Sequence, residues 1–247
     1  TRWDLMSLYF GSWAGVLWNV LLPAVLLLAY LSVFELTPGF RFGGARVEVG
    51  GFGVNLIAGL VPWLLFQEAV ARAASSFIDN RHVLAQIAVP APLFPLATVG
   101  SALARHGVGL ALLAILLPLS GVEPTRLWLF IPVLAVPLVL LAAGCALIAA
   151  CLTVLSRDVA PTVGAAMLPL FFATPVIYPP YALPDSLRLV MDLNPLSGVV
   201  IAYRDVLVTG RLPALDPLLY ALAMGIVLSG LGVVLVRRLG PELAERL

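Results

Sequence analysis

Residues 127–156 contain no Asp, Glu, Lys or Arg. A helix needs about 20 mostly apolar residues to cross the hydrocarbon core of a bilayer, and this run exceeds that length. Similar charge-free runs occupy residues 5–34, 49–67, 159–183 and 217–236, and residues 93–119 form another, interrupted by Arg105. Of the 247 residues, 62% are hydrophobic and only 11% are charged. Soluble domains carry about 45–50% apolar and about 25% charged residues. A disordered chain, a fibrous chain and an ordinary water-soluble enzyme are therefore excluded. The pattern predicts an all-α polytopic membrane protein with six transmembrane helices. They are expected at residues 13–35, 53–78, 93–119, 127–155, 159–177 and 215–236, the second continuing as helix beyond its apolar part.

The segments between the spans carry further information. Trp3, Met6, Phe10 and Trp13 recur at helical spacing among Arg2, Asp4, Ser7 and Gly11. Trp favours the headgroup region, so residues 1–12 read as a helix lying in the interface, the alternative being extra turns of the first span. The chain begins at Thr1 rather than Met, and a preceding segment is expected. Residues 79–92 read as a connector with a short amphipathic helix, running from Asn80, Arg81, His82, Val83 and Leu84 through Gln86 to Pro90. Residues 193–203 are apolar but too few to span, and Asp192 and Arg204 flank them. A segment of that length is re-entrant or interfacial. Arginine is spread almost evenly over the connecting segments. The pair Arg237-Arg238 after the last span is the best local signal, and it places residues 237–247 in the cytoplasm as a tail.

All 14 basic residues are arginine. Without lysine there is no Walker A phosphate-binding residue and no Schiff-base nucleophile. Any ATP the protein uses must be bound by another chain. The net charge of +1 gives no reason to expect nucleic acid. Cys145 and Cys151 are six positions apart, about 9 Å along one helix, too far for a disulfide. His82 and His106 belong to no metal-ligand pattern. No nucleophile elbow is present. Ionisable residues inside spans are costly and usually functional. Glu68 and Arg72 are spaced to pair on one helix face, either at the end of a long helix in water or as conduit lining. Arg105-His106 breaks the third span, either as a buried structural pair or as a polar lining or proton relay. Trp63, Phe66, Phe171 and Phe172 are aromatic candidates for a path along which sugars stack.

The residues match a known pattern in order along the chain. Gly11-Ser12 is followed by Gly15, Leu17-Trp18 and Pro23. Gly59-Leu60-Val61-Pro62-Trp63 comes next, then Asn80 through Val89-Pro90, then Arg157-Asp158. The most specific stretch is Thr174-Pro175-Val176-Ile177-Tyr178, Leu183-Pro184, Asn194-Pro195-Leu196 and Tyr203-Arg204-Asp205. With these residues the chain resembles the membrane subunit of type-2 ABC exporters. It looks closest to bacterial polysaccharide permeases of the O-antigen (Wzm-like) and teichoic acid (TagG-like) kind.

The resemblance implies a homodimer of six-helix subunits in the bacterial cytoplasmic membrane, with an ATP-binding subunit under each, two copies in all. ATP and magnesium would be bound by that partner, so this chain needs no cofactor of its own. Asn80, Arg81, His82, Val83, Leu84, Gln86, Arg157 and Asp158 would couple to the ATPase. Residues 178–210 would form short gate helices at the outer face, carrying Tyr178, Asn194, Pro195, Tyr203, Arg204 and Asp205. The substrate would be a glycan on a lipid carrier such as undecaprenyl diphosphate. The alternative within the same family is an exporter of lipids or drugs. The family often carries basic residues before the Gly-Ser, where this chain has Met6, Leu8 and Phe10. It often has another late in the coupling segment, where this chain has Gln86.

Overall fold

The computed structural model describes residues 25, 51–86, 90–178 and 185–246. The expected interfacial helix (1–12), all of the first span (13–35) except the helical residue Val25, residues 87–89 of the connector and residues 179–184 lie outside the described residues. The described residues form helices without strands. We label them α1 (Gly51–Ala74), α2 (Ser76–Asp79), α3 (Arg81–Gln86), α4 (Leu93–Leu119), α5 (Ile131–Leu155), α6 (Val159–Ala173), α7 (Asp185–Leu193), α8 (Pro195–Arg204) and α9 (Leu215–Arg246).

Among the described residues, four helical stretches are long and apolar enough to cross a membrane: Gly53–Ala74, Leu93–Leu119, Arg126–Leu155 and Leu215–Leu239. They fall in α1, in α4, in α5 with the 3-10 turn before it, and in α9. The helix expected over residues 159–177 ends earlier, at Ala173, and is 15 residues long. At about 1.5 Å per residue it rises about 22 Å, less than a typical hydrocarbon core. Thr174 turns extended (ψ 135°) because Pro175 follows, and the residue before a proline is pushed out of the helical region. The helix expected over residues 53–78 stops at Ala74, and a break at Ser75 leads into the short α2.

Helix α1 is central. Val54, Ile57, Ala58, Leu60, Val61, Trp63, Leu65, Phe66, Ala69 and Ala73 are all buried. They point to every side of the helix, the pattern of one enclosed by neighbours. Helix α4 runs antiparallel to α1: Thr98 donates to the Ala69 carbonyl near one end (3.3 Å), and Gly109 faces Val61 farther along.

Helices α5 and α9 lie side by side and run the same way. Gly225 packs on Leu140, Gly144 on Leu228, and Gly232 on Leu147. Ser229 adds a hydrogen bond to the Leu140 carbonyl (2.8 Å). Lipid tails are as apolar as leucine, so burying leucine alone does not join two such helices. Small residues that let backbones touch do. The opposite face of α9 carries exposed Leu219, Ile226, Val227, Leu231 and Val234, as a lipid-facing stripe should. At one end, Phe77, Leu147, Cys151 and Val236 form a small second core with Leu84 and Phe94 against it. That core seats α2 and α3 under the ends of α5 and α9. Cys145 and Cys151 are both free thiols.

A Cβ built on Gly144 would lie 2.6 Å from Leu228 and Ser229 backbone atoms. Gly144→Val should therefore separate α5 from α9 and cost about 1–3 kcal/mol. The expected result is a lower unfolding midpoint for detergent-purified protein. An unchanged midpoint would contradict the packing.

Candidate functional site

The polar side chains that the sequence offers as candidates gather at three levels along α1. The first involves the short helices after α6. Asn194 is the N-cap of α8: its Oδ1 accepts from the Leu196 amide (3.1 Å), with Pro195 in the first turn. Asn and Pro in that order are a strong helix start, since one satisfies a free amide and the other lacks one. The Asn194 Nδ2 donates to Thr174 Oγ1 (2.8 Å), which ties the start of α8 to the end of α6. The Tyr220 hydroxyl donates to the Leu193 carbonyl (2.9 Å), holding the α7–α8 junction to α9. Tyr178 is half-buried and donates to the Phe172 carbonyl (2.5 Å).

Arg204, at the end of α8, is 7% exposed. Its Nε donates to the Asn55 carbonyl of α1 (2.9 Å), its Nη1 to Tyr178 (3.1 Å) and its Nη2 to the Val176 carbonyl. Gly59 makes room for the guanidinium: a Cβ there would lie 2.9 Å from Nη2 and 3.2 Å from the Val176 carbonyl. Asp205 follows in a π-helical turn (Asp205–Thr209) that Gly210 ends in the left-handed region (φ 62°). Burial pushes the Asp205 carboxyl above the usual carboxylate range, and Arg211 and Arg204 pull it back.

The second level is farther along α1. His106 of α4 is 5% exposed and Tyr203 of α8 is fully buried. The imidazole Nδ1 lies 3.2 Å from the Val61 carbonyl, and Nε2 lies 3.0 Å from the Tyr203 hydroxyl. The two rings meet edge to face with centroids 5.6 Å apart.

The third level is an ion triad. Glu68 and Arg72 pair on α1 as their spacing predicts (3.2 Å). The same carboxylate takes Arg105 of α4 from across the helix interface, with Nε at 2.7 Å and Nη2 at 2.5 Å. Of the two readings open for Arg105-His106, both residues are engaged in buried or half-buried contacts, Arg105 with Glu68 and His106 with Tyr203. The spacing argument found Glu68–Arg72 and missed Arg105, because a partner 37 positions away leaves no local signal.

The aromatic candidates divide. Trp63 and Phe66 are inside the protomer, and Trp63 donates to Gln67 Oε1 (2.7 Å). Phe171 is half-buried with its ring centroid 5.4 Å from that of Trp63. Phe172 is 56% exposed. In the connector, Arg81, His82 and Val83 are exposed and Leu84 is half-buried on the small second core. Asn80 is half-buried and donates to the Ser76 carbonyl one turn back (2.8 Å). Gln86 closes α3. Arg157 and Asp158 are exposed in the turn from α5 to α6, at the end of α5 that packs beside α2 and α3.

The family model described as ABC-2 type transporter matches residues 2–208. An O-antigen export system permease protein RfbA of Klebsiella pneumoniae is 27% identical over 247 residues, covering 99% of this chain and 92% of the relative. A protein of the same name from Myxococcus xanthus is 29% identical over 227 residues, covering 91% of this chain and 85% of the relative.

Removing the Arg204 side chain leaves the carbonyls of Asn55, Val176 and Tyr178 without that donor. Arg204→Ala should cost about 3 kcal/mol or more, read as a fall in the unfolding midpoint. Arg204→Lys should recover little, because an ammonium cannot reproduce the guanidinium fork. Full recovery by lysine would show that charge alone matters at this position.

Proposed function

The chain belongs to the ABC-2 type transporter family, and we propose that it is the membrane-spanning permease subunit of an ATP-driven exporter of lipid-linked polysaccharide. The observation that carries this reading is the near full-length similarity to two proteins named as O-antigen export permeases. The chain is a multi-pass membrane protein, and its residues suit transport rather than chemistry on a substrate. Moving a polymer needs no reactive side chain. It needs a conduit that tolerates hydroxyls and an opening step driven from outside the bilayer.

The energy source is an ATP-binding subunit. This chain has no lysine with which to build a Walker A motif. We place the assembly in the bacterial cytoplasmic membrane as a homodimer of this chain with two ATP-binding subunits. Undecaprenyl-linked O-antigen, or a related surface glycan, is the substrate. The exposed Arg81, His82 and Val83 on α3 are the docking surface for the ATPase, supported by Arg157 and Asp158 in the neighbouring turn. ATP-driven closure of the partner subunits moves α3, and the attached spans follow as a rigid-body shift. Helices α7 and α8 with the following turn form the outer gate.

The ion triad supports a polar path along α1. Arg72 and Glu68 keep 40% and 33% of their side chains exposed in the last two turns of α1, where water at the end of the helix or a water-filled conduit between protomers would solvate them. Phe172 offers a face on which sugar rings stack, with Phe171, Trp63 and Phe66 packed behind it.

In vesicles containing the chain and its co-purified ATP-binding subunit, ATP should drive movement of undecaprenyl-linked glycan. Movement of lipid or drug without any glycan would overturn the substrate assignment. Deleting Arg81–Gln86 should leave the protein inserted but abolish export, and normal export would refute the docking role. Arg105→Ala should slow glycan movement at unchanged yield if the triad lines the path. A loss of yield alone would make the triad purely structural.

A further inference from the structure

We propose that His106 is a positioning residue that couples the outer gate to the helices flanking the ATPase-docking segment. This rests on the exporter reading above. Helix α3 is joined to α1 through α2 on one side and to α4 on the other, so a displacement of α3 reaches α1 and α4 first. His106 stands on α4 and touches both α1 and α8.

The hydrogen-bond chemistry gives the contact a direction. The Val61 carbonyl can only accept, so Nδ1 of His106 carries the proton and donates to it (3.2 Å). Nε2 is then an acceptor, and the Tyr203 hydroxyl donates to it (3.0 Å). One imidazole thus links a backbone group of α1, its own helix α4 and the side chain of α8. No other natural side chain has a donor and an acceptor on opposite edges of one rigid ring. Gly109, one turn on, lies against Val61 and keeps α4 close enough for the bond.

The location makes the link selective. Tyr203 is fully buried, and its neighbour Arg204 is bonded to Asn55 of α1. Two adjacent residues of α8 therefore fasten it to the α1–α4 pair, one through His106 and one through the guanidinium. The contact of α8 with α9 is arranged differently: the body of α8 meets α9 where Gly198 packs against Pro217, and the directional bond to α9, from Tyr220 to the Leu193 carbonyl, lies at the α7–α8 junction, at the other end of α8 from Tyr203 and Arg204. When α1 and α4 move, the bonds at Tyr203 and Arg204 carry the end of α8 with them and swing it about its held start.

The test uses the complex with its ATP-binding subunit and reads hydrolysis, export and gate movement separately. Leu189 on α7 is 66% exposed and accepts a spin label as Leu189→Cys once Cys145 and Cys151 are replaced by Ala. In the otherwise native complex, trapping nucleotide should shift the label. In His106→Leu and in Tyr203→Phe the shift should vanish, with hydrolysis retained and export reduced about tenfold, a usual size for coupling between sites. The double variant should be no worse than either single one, because both remove the same link. His106→Gln, which keeps a donor and an acceptor, should recover part of the export. A label shift of wild-type size in His106→Leu would overturn the proposal, as would hydrolysis falling in parallel with export. If the label responds in the native complex but not in His106→Leu, and no glycan moves in either, the substrate reading fails and the role of His106 stands.

Discussion

A guanidinium taken into the interior of a membrane protein must find there the partners that water would have supplied. Arg204 finds three, and they come from two places: Asn55 in the first turns of α1, and Val176 and Tyr178 in the stretch after α6. Its charge cannot be neutralised by losing a proton, so the surrounding backbone must converge on it. Gly59 is without a side chain where the guanidinium lies, and Pro175 ends α6 so that the Val176 carbonyl turns toward it. The end of α8 is fixed as a result, and with it the placing of Tyr203 and Asp205 on either side.

Elsewhere the bundle is held by contact rather than charge. Helices α5 and α9 meet through Gly144, Gly225 and Gly232, and the outer face of α9 is left to lipid. Helices α1 and α4 combine the two kinds of bond. Gly109 brings them together, and His106 and the Glu68–Arg105 pair cross between them. The Glu68–Arg105 pair and the Arg204 bond to Asn55 both involve α1, the most enclosed of the described spans, and its continuation leads to the segment proposed to meet the ATPase. That arrangement suits a subunit whose outer end must answer to events at its other end.

Much of this was legible in the sequence because membrane helices announce themselves by length. The charge-free runs coincide with α1, α4, α5 and α9, and the short apolar run at residues 193–203 holds the ten-residue α8. Asn194-Pro195 marked a helix start by cap chemistry. The apolar run predicts too late an end for α6, since it continues through Thr174-Pro175-Val176 while the helix stops at Ala173. The cross-chain contacts were not legible. Nothing local in Gly59 says that it faces a guanidinium, and His106 and Tyr203 are 97 positions apart. Trp63 and Phe66 illustrate the same gap, because composition cannot distinguish an aromatic lining a path from one packed behind it.

The account stands on the chain acting as half of an ATP-driven machine. The most direct measurement is affinity purification from native membranes in mild detergent, followed by an ATPase assay. The account predicts a stoichiometric partner of ATPase size and measurable ATP turnover. A lone chain without turnover would contradict it, and would leave the buried polar contacts of α1 and α4 to be explained as part of a transporter that works by itself.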